Sequence, residues 1–151
     1  MSAKSRRSSQ PSATNVPPEG PVFFLDRSLG TKLVAERLRR EGAIVELHGD
    51  HFQHDTADEV WIPEVAARDW VILAKDLRIR WRPLEREAIE ASGARVFVFS
   101  SGNVTGEDMA EAFARAMPRM ERLVGQMDGP FIAKVYRDGS VKMWKDWVEL
   151  T

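Results

Sequence analysis

Apolar positions fall into short unbroken runs separated by longer amphipathic stretches, and the two patterns alternate along most of the chain. Val22-Phe23-Phe24-Leu25 predicts a first strand, and Ile44-Val45-Glu46-Leu47 a second. Trp70 to Ala74 is continuously apolar, as expected of a strand covered on both faces. Arg95 to Ser100 predicts a fourth. Between them, Leu29, Leu33, Val34 and Leu38 form a stripe that predicts a helix over about 29–41, stopped by Gly42. A second helix starts near Thr56, with a kink or restart at Pro63. Pro83 suits the first turn of a third, running to Ala91 and stopped by Gly93. Thr105 and Asp108 have the spacing of an N-cap pair. Met109, Phe113, Met117, Met120 and Val124 then give a long helix one buried face, bent at Pro118. Phe131 to Tyr136 and Val141 to Trp144 flank Arg137-Asp138-Gly139-Ser140, a hairpin signal.

Strands alternating with helices predict an α/β domain with a mainly parallel sheet. Right-handed crossovers put helices on both of its faces. The C-terminal β-hairpin is an addition to that core. Residues 1–20, rich in Ser, Pro and basic side chains, lack periodicity and read as a disordered tail. The domain then occupies 21–151. An apolar content of 43% in 151 residues supports a real core. No apolar stretch approaches the ~20 residues that span a bilayer, and the N-terminus has no signal-peptide core. The absence of cysteine excludes disulfides and thiolate ligands and fits a reducing cytoplasm. A formal charge of −1 argues against a nonspecific nucleic-acid coat, though not against an enzyme with a local basic patch.

Candidate chemistry lies at the ends of the elements. Asp26 closes the first strand, Asp58 and Glu59 open the second helix, and Asp76 follows the most buried strand. Ligands gather beyond the carboxyl ends of strands in an open parallel sheet. Carboxylates brought together there repel one another unless a cation is present, so a divalent metal and phosphate chemistry are the first expectation. Each acid also has a structural reading. Asp26 could serve a turn, Glu59 a capping box with Thr56, and Asp58 the helix dipole.

The order Phe-Phe-Leu-Asp26, Asp55-Thr-Ala-Asp58-Glu59-Val-Trp61 and Trp70-Val-Ile-Leu-Ala-Lys-Asp76-Leu-Arg-Ile-Arg80 resembles the PIN-like toxin branch of the PIN-domain nucleases. Val96-Phe-Val-Phe-Ser-Ser-Gly-Asn103 and Pro130-Phe-Ile-Ala-Lys-Val-Tyr-Arg-Asp-Gly139 extend the resemblance over roughly 21–144. It implies a three-layer α/β fold that cleaves RNA with Mg2+ or Mn2+, in many cases as the toxin of a type II toxin–antitoxin pair blocked by its cognate antitoxin. Asp26 would be the first-strand metal ligand, Asp58 or Glu59 the helix acid, and Asp76 the acid after the third strand. Arg27 stands where relatives often carry a second acid, and Leu77, Arg78, Ile79 and Arg80 follow Asp76 where another acid is common.

Arg78, Arg80 and Arg82 alternate with Ile79 and Trp81, so an extended backbone puts the arginines on one face. Arginine pairs with phosphate oxygens and tryptophan can stack on unpaired bases, which suits single-stranded RNA. Ser100 and Asn103, at the end of the fourth strand, could orient water or phosphate or form a turn at Gly102. His48, His51 and His54 share one loop and could bind a transition metal, or line the rim of the pocket as ordinary surface side chains. Two other functions compete: a noncatalytic interaction protein that keeps the fold, and a receiver-like signalling domain using Asp76, Ser100 and Lys134. The hydrophobic long helix and the aromatic C-terminus could serve a homodimer.

Overall fold

The computed structural model describes residues 20–29, 32–75, 82–100 and 102–144. The proposed N-terminal tail lies outside the described residues, apart from Gly20.

Six strands form one sheet: β1 (Val22–Leu25), β2 (Ile44–Leu47), β3 (Val71–Ala74), β4 (Arg95–Phe99), β5 (Phe131–Val135) and β6 (Val141–Met143). Their order is β2-β1-β3-β4-β5-β6, parallel through β5, with β6 antiparallel at the edge. Four helices connect them: α1 (Lys32–Arg40), α2 (Asp58–Ala67), α3 (Pro83–Ser92) and α4 (Gly106–Gln126). The three-layer α/β reading holds, including the C-terminal hairpin.

The two-residue period of a strand divides the apolar runs between two cores. Phe23, Leu25, Val71, Leu73, Phe97, Phe99, Phe131 and Val135 pack with α1 and α4. Phe24, Ile72, Val96, Val98 and Ile132 pack on the opposite face with Trp61, Ile62 and Val65 of α2 and Ile89 of α3. This explains why the central strands show no polar alternation, since both sides of each are covered. On α4, the stripe Met109, Phe113, Met117 and Met120 is buried, and Val124 packs half-buried at its end.

The helix boundaries follow local chemistry. Thr105 caps α4 by accepting a hydrogen bond from the Asp108 backbone N–H at 3.0 Å. Pro83 sits in the first turn of α3, and Gly93 ends it in the left-handed region at φ 76°. Three expectations change. The Thr56–Glu59 capping box does not form, because α2 begins at Asp58 and Ala57 takes the cap position with no side chain to offer. Pro63 lies inside one continuous α2 rather than restarting it. The stretch 29–41 likewise divides into a short 3-10 turn at Arg27–Leu29 and the helix from Lys32.

The strand order reverses at β1. Its right neighbour is β3 and its left neighbour β2, so the connections leaving β1 and β2 run in opposite senses and open a crevice at their carboxyl ends. Asp26, directly after β1, extends the pairing by donating its N–H to the Leu73 carbonyl at 2.9 Å. The Ser28 hydroxyl accepts from the Lys75 N–H at 3.0 Å and ties the turn after β1 to the end of β3. The hairpin between β5 and β6 rests on α4 at Gly139, where φ is 87° and an added Cβ would stand 2.6 Å from Arg115 Cβ. Gly139→Ala should therefore cost about 1–3 kcal/mol, combining left-handed strain with overpacking. Chemical denaturation measures this, and a cost below a few tenths of a kcal/mol would mean the hairpin does not bear on α4 as described.

Candidate active site

A cavity of about 270 Å³ opens at that crevice, lined by Asp26, Arg27, Ser28, His54, Asp58, Arg82 and Glu85 above a floor of Trp61, Ile62, Ile72, Ala74 and Val96. The floor is the α2–α3 core reaching the surface, so the polar groups stand on a rigid apolar base.

Asp26 is held by its own turn. Its carbonyl accepts from the Leu29 N–H at 3.0 Å, and its Oδ2 accepts from the Ser28 N–H at 3.3 Å. The other oxygen, Oδ1, is buried and has no hydrogen-bond partner among the described residues. A buried carboxylate oxygen left in that state is costly, so the position calls for a cation or donor brought by something else.

Asp58 is in the opposite condition. As the first residue of α2 its carboxylate faces the positive end of the helix dipole. Oδ1 accepts from Trp61 Nε1 at 2.8 Å, one turn along the helix, and from Arg27 Nη2 at 3.1 Å. Oδ2 lies 3.9 Å from Arg82 Nη1. Arg82 in turn donates to Glu85 Oε2 at 2.9 Å. Glu85, only 5% exposed, lies close enough to Asp58 for the two carboxyls to interact. Burial first, and then that interaction with Asp58, push the Glu85 carboxyl up from 4.5 to about 7, against the pull of Arg82. Glu85 therefore holds its proton to higher pH than an ordinary carboxyl, and the guanidinium groups of Arg27 and Arg82 stand beside the Asp58 carboxylate.

Arg27 reaches across the crevice. Its Nη1 donates to His48 Nε2 at 2.9 Å while Nη2 holds Asp58. Arginine has no acceptor, so His48 Nε2 presents its lone pair and the ring proton sits on Nδ1. His48 is buried, and burial, followed by the Arg27 charge, pulls its pKa below the ordinary value and keeps it neutral. The three loop histidines therefore do different things. His48 supports Arg27, His51 binds Glu46 through Nε2 at 2.7 Å and packs edge-on to Trp70, and His54 lines the cavity. They do not converge on a metal.

The other expected residues separate by place. Glu59, next to Asp58, is exposed and does not line the cavity. Ser100, half-buried, ends β4 with its N–H bonded to the Val135 carbonyl at 2.8 Å, and Asn103 is exposed; neither lines the cavity. Asp76, Arg78 and Arg80 lie outside the described residues, while Arg82 lines the cavity. Glu85 escaped the sequence reading, since its only signal is a position two residues into a proline-started helix, which does not reveal that its carboxyl turns inward. Arg27 registered there only as a missing acid.

Sequence comparison accords with this geometry. The family model described as PIN like domain matches residues 21–101, more than half of the chain. The chain belongs to the PIN-like domain family. It is also similar to a Mycobacterium tuberculosis (strain ATCC 25618 / H37Rv) protein named "Putative ribonuclease VapC45", with 29% identity over 125 residues that cover 80% of this chain and 90% of that protein. No solved structure matches.

Among the described residues, no three His, Asp or Glu side chains form a ready-made metal cage. The carboxylates at the cavity are nonetheless of the kind that suits a hard divalent cation, and the orphaned Asp26 Oδ1 supplies a ligand position already desolvated.

The raised Glu85 pKa has a stability consequence. Below pH 4.5 the group is protonated in both folded and unfolded chains; as pH rises toward 7 the unfolded chain loses the proton first, and the folded state loses ground. Glu85→Gln, permanently neutral, should gain stability relative to the parent over that window, by on the order of 1–3 kcal/mol at its top. Denaturant unfolding at pH 4.5 and pH 8 reads the difference; a gap that does not change with pH would contradict the protonated Glu85.

Proposed function

We propose that this PIN-like domain is a metal-dependent endoribonuclease and the toxin of a type II toxin–antitoxin pair. The observation that carries the reading is the Asp26 carboxylate, fixed at the crevice between β1 and β3 with one buried oxygen unpartnered. The name of the M. tuberculosis relative supports a ribonuclease over the other chemistries that such a crevice could host. Asp26, Asp58 and Asp76 would hold Mg2+ or Mn2+. Such an ion would polarise the phosphoryl group and activate a water for attack on it.

The chain's own residues would prepare that chemistry. Trp61 Nε1 fixes the Asp58 rotamer, and Ser28 does the same for Asp26 through its backbone N–H. Glu85 limits the negative charge by keeping its proton beside Asp58. Arg82, with Arg78 and Arg80 of the same basic segment, would draw the RNA backbone to the rim, and Ser100 and Asn103 would meet it beyond β4. The apolar floor would limit the water that surrounds a bound phosphate. A cognate antitoxin would cover this face in the resting cell, and the cytoplasm is the compartment where both partners and RNA meet. No helix among the described residues is long and apolar enough to cross a membrane.

The interaction-protein reading draws on one observation, the two donors already bound to Asp58 Oδ1. The receiver reading does not gain from the structure: Lys134 lies in mid-β5 with its ammonium 4.9 Å from the Trp144 ring.

Purified protein should cleave RNA with Mg2+ or Mn2+ and stop on chelation. Asp26→Asn and Asp76→Asn should each lose at least ~100-fold in rate. Loss of an outer partner of a metal ligand already costs about 10–100-fold, and a direct ligand costs more. Cleavage that survives chelator and both substitutions would end the proposal.

A further inference from the structure

Arg27 lies between two cavities. It lines the acidic one and also a second, of about 580 Å³, bounded by His48, Gly49, Asp50, His51, Phe52, Gln53 and His54. His54 likewise borders both, so the two hollows adjoin along one surface track. The guanidinium is moored at two points, by neutral His48 at 2.9 Å and by Asp58 at 3.1 Å, and its side chain is still 30% exposed. Those moorings use two of its five N–H groups among the described residues and hold the guanidinium where both cavities meet it.

A surface ion pair alone would not need the second mooring. An arginine gripping one carboxylate is satisfied electrostatically, and burying a histidine to accept from its other arm carries a desolvation cost, visible in the lowered His48 pKa. What the second mooring secures is direction. A planar guanidinium whose angle is set can meet a phosphate with two parallel hydrogen bonds, whereas a free lysine offers only a point charge. Arg82, which also lines the cavity, is paired with Glu85 and Asp58 and contributes its charge at the rim. The second cavity offers the face of Phe52, the Gln53 amide and exposed imidazole edges, suited to an unpaired nucleoside next to that phosphate.

We propose that Arg27 binds a backbone phosphate of single-stranded RNA as the strand passes from one cavity to the other, with His48 as the positioning residue that sets its angle. This rests on the ribonuclease reading and names the residue through which that site holds its substrate.

The test is binding without cleavage. A fluorescein-labelled 2′-O-methyl RNA oligomer is titrated with the full chain in chelator, by anisotropy, between about 50 and 300 mM salt. Arg27→Gln should weaken binding about tenfold, the worth of one charge-assisted hydrogen-bonded contact, and flatten the plot of log K against log salt by about 0.7, the single-strand value for one phosphate. Arg27→Lys should keep the slope and lose part of the affinity. His48→Ala should weaken binding with the slope unchanged, and His48→Gln, which restores an acceptor, should recover part of the loss. Circular dichroism confirms that each variant is folded, and Asp58 retains Trp61 and Arg82 in all of them. Wild-type affinity and slope in Arg27→Gln, or no binding by the wild type, would overturn the assignment. Arg27-dependent binding with no cleavage under Mg2+ or Mn2+ would remove the nuclease reading alone. Cleavage with an indifferent Arg27→Gln would remove only this one.

Discussion

The Asp58 carboxylate is the joint on which the candidate site turns. One oxygen takes Trp61 from its own helix and Arg27 from the turn after β1, and the other faces Arg82 and Glu85 at the start of α3. Three chain segments far apart in sequence are thus tied at one residue. The helix dipole of α2 favours the charge there, and the neighbouring cations keep it from repelling Asp26. That joint gives α3 and the turn after β1 a shared polar anchor at the mouth of the crevice.

The contrast between Asp26 and Asp58 is the chemical content of the site. Asp58 is nearly saturated with donors, whereas Asp26 has a buried oxygen with none. Hydrogen-bonded groups hold geometry, and an unsatisfied one is a demand on an incoming partner. Glu85 fits the same scheme. Three ionised carboxylates this close would be costly, and retention of a proton by the most buried of them relieves the repulsion. The two arginines then make the mouth attractive to a polyanion, although the chain as a whole carries a formal charge of only −1.

The fold places these groups by topology rather than by local sequence. Because β1 lies between β2 and β3, the chain leaves its carboxyl end in one sense and returns across it in the other. The turn after β1 and the start of α2 therefore meet there, while the apolar floor of Trp61, Ile72 and Val96 keeps the bases of both elements rigid. Membership of the PIN-like domain family rests on this same stretch, residues 21–101, where the turn, α2 and the start of α3 all lie.

Periodicity made the element order legible, from Val22–Leu25 through the Arg137–Ser140 hairpin, because burial on a strand or helix repeats at fixed intervals along the chain. Caps written in local chemistry, such as Thr105 and Gly93, were legible for the same reason. The acids at element ends could be named from the sequence, but not their states. Which of Asp58 and Glu59 turns into the cavity depends on where α2 begins, and the helix starts two residues later than Thr56 implied. Glu85 and Arg27 became visible only in three dimensions. Their partners stand 27 and 31 residues away, and no pattern within either segment records contacts made across such distances. Pattern along the chain determined the layers; the long-range hydrogen bonds and burial decided which polar side chains share the crevice.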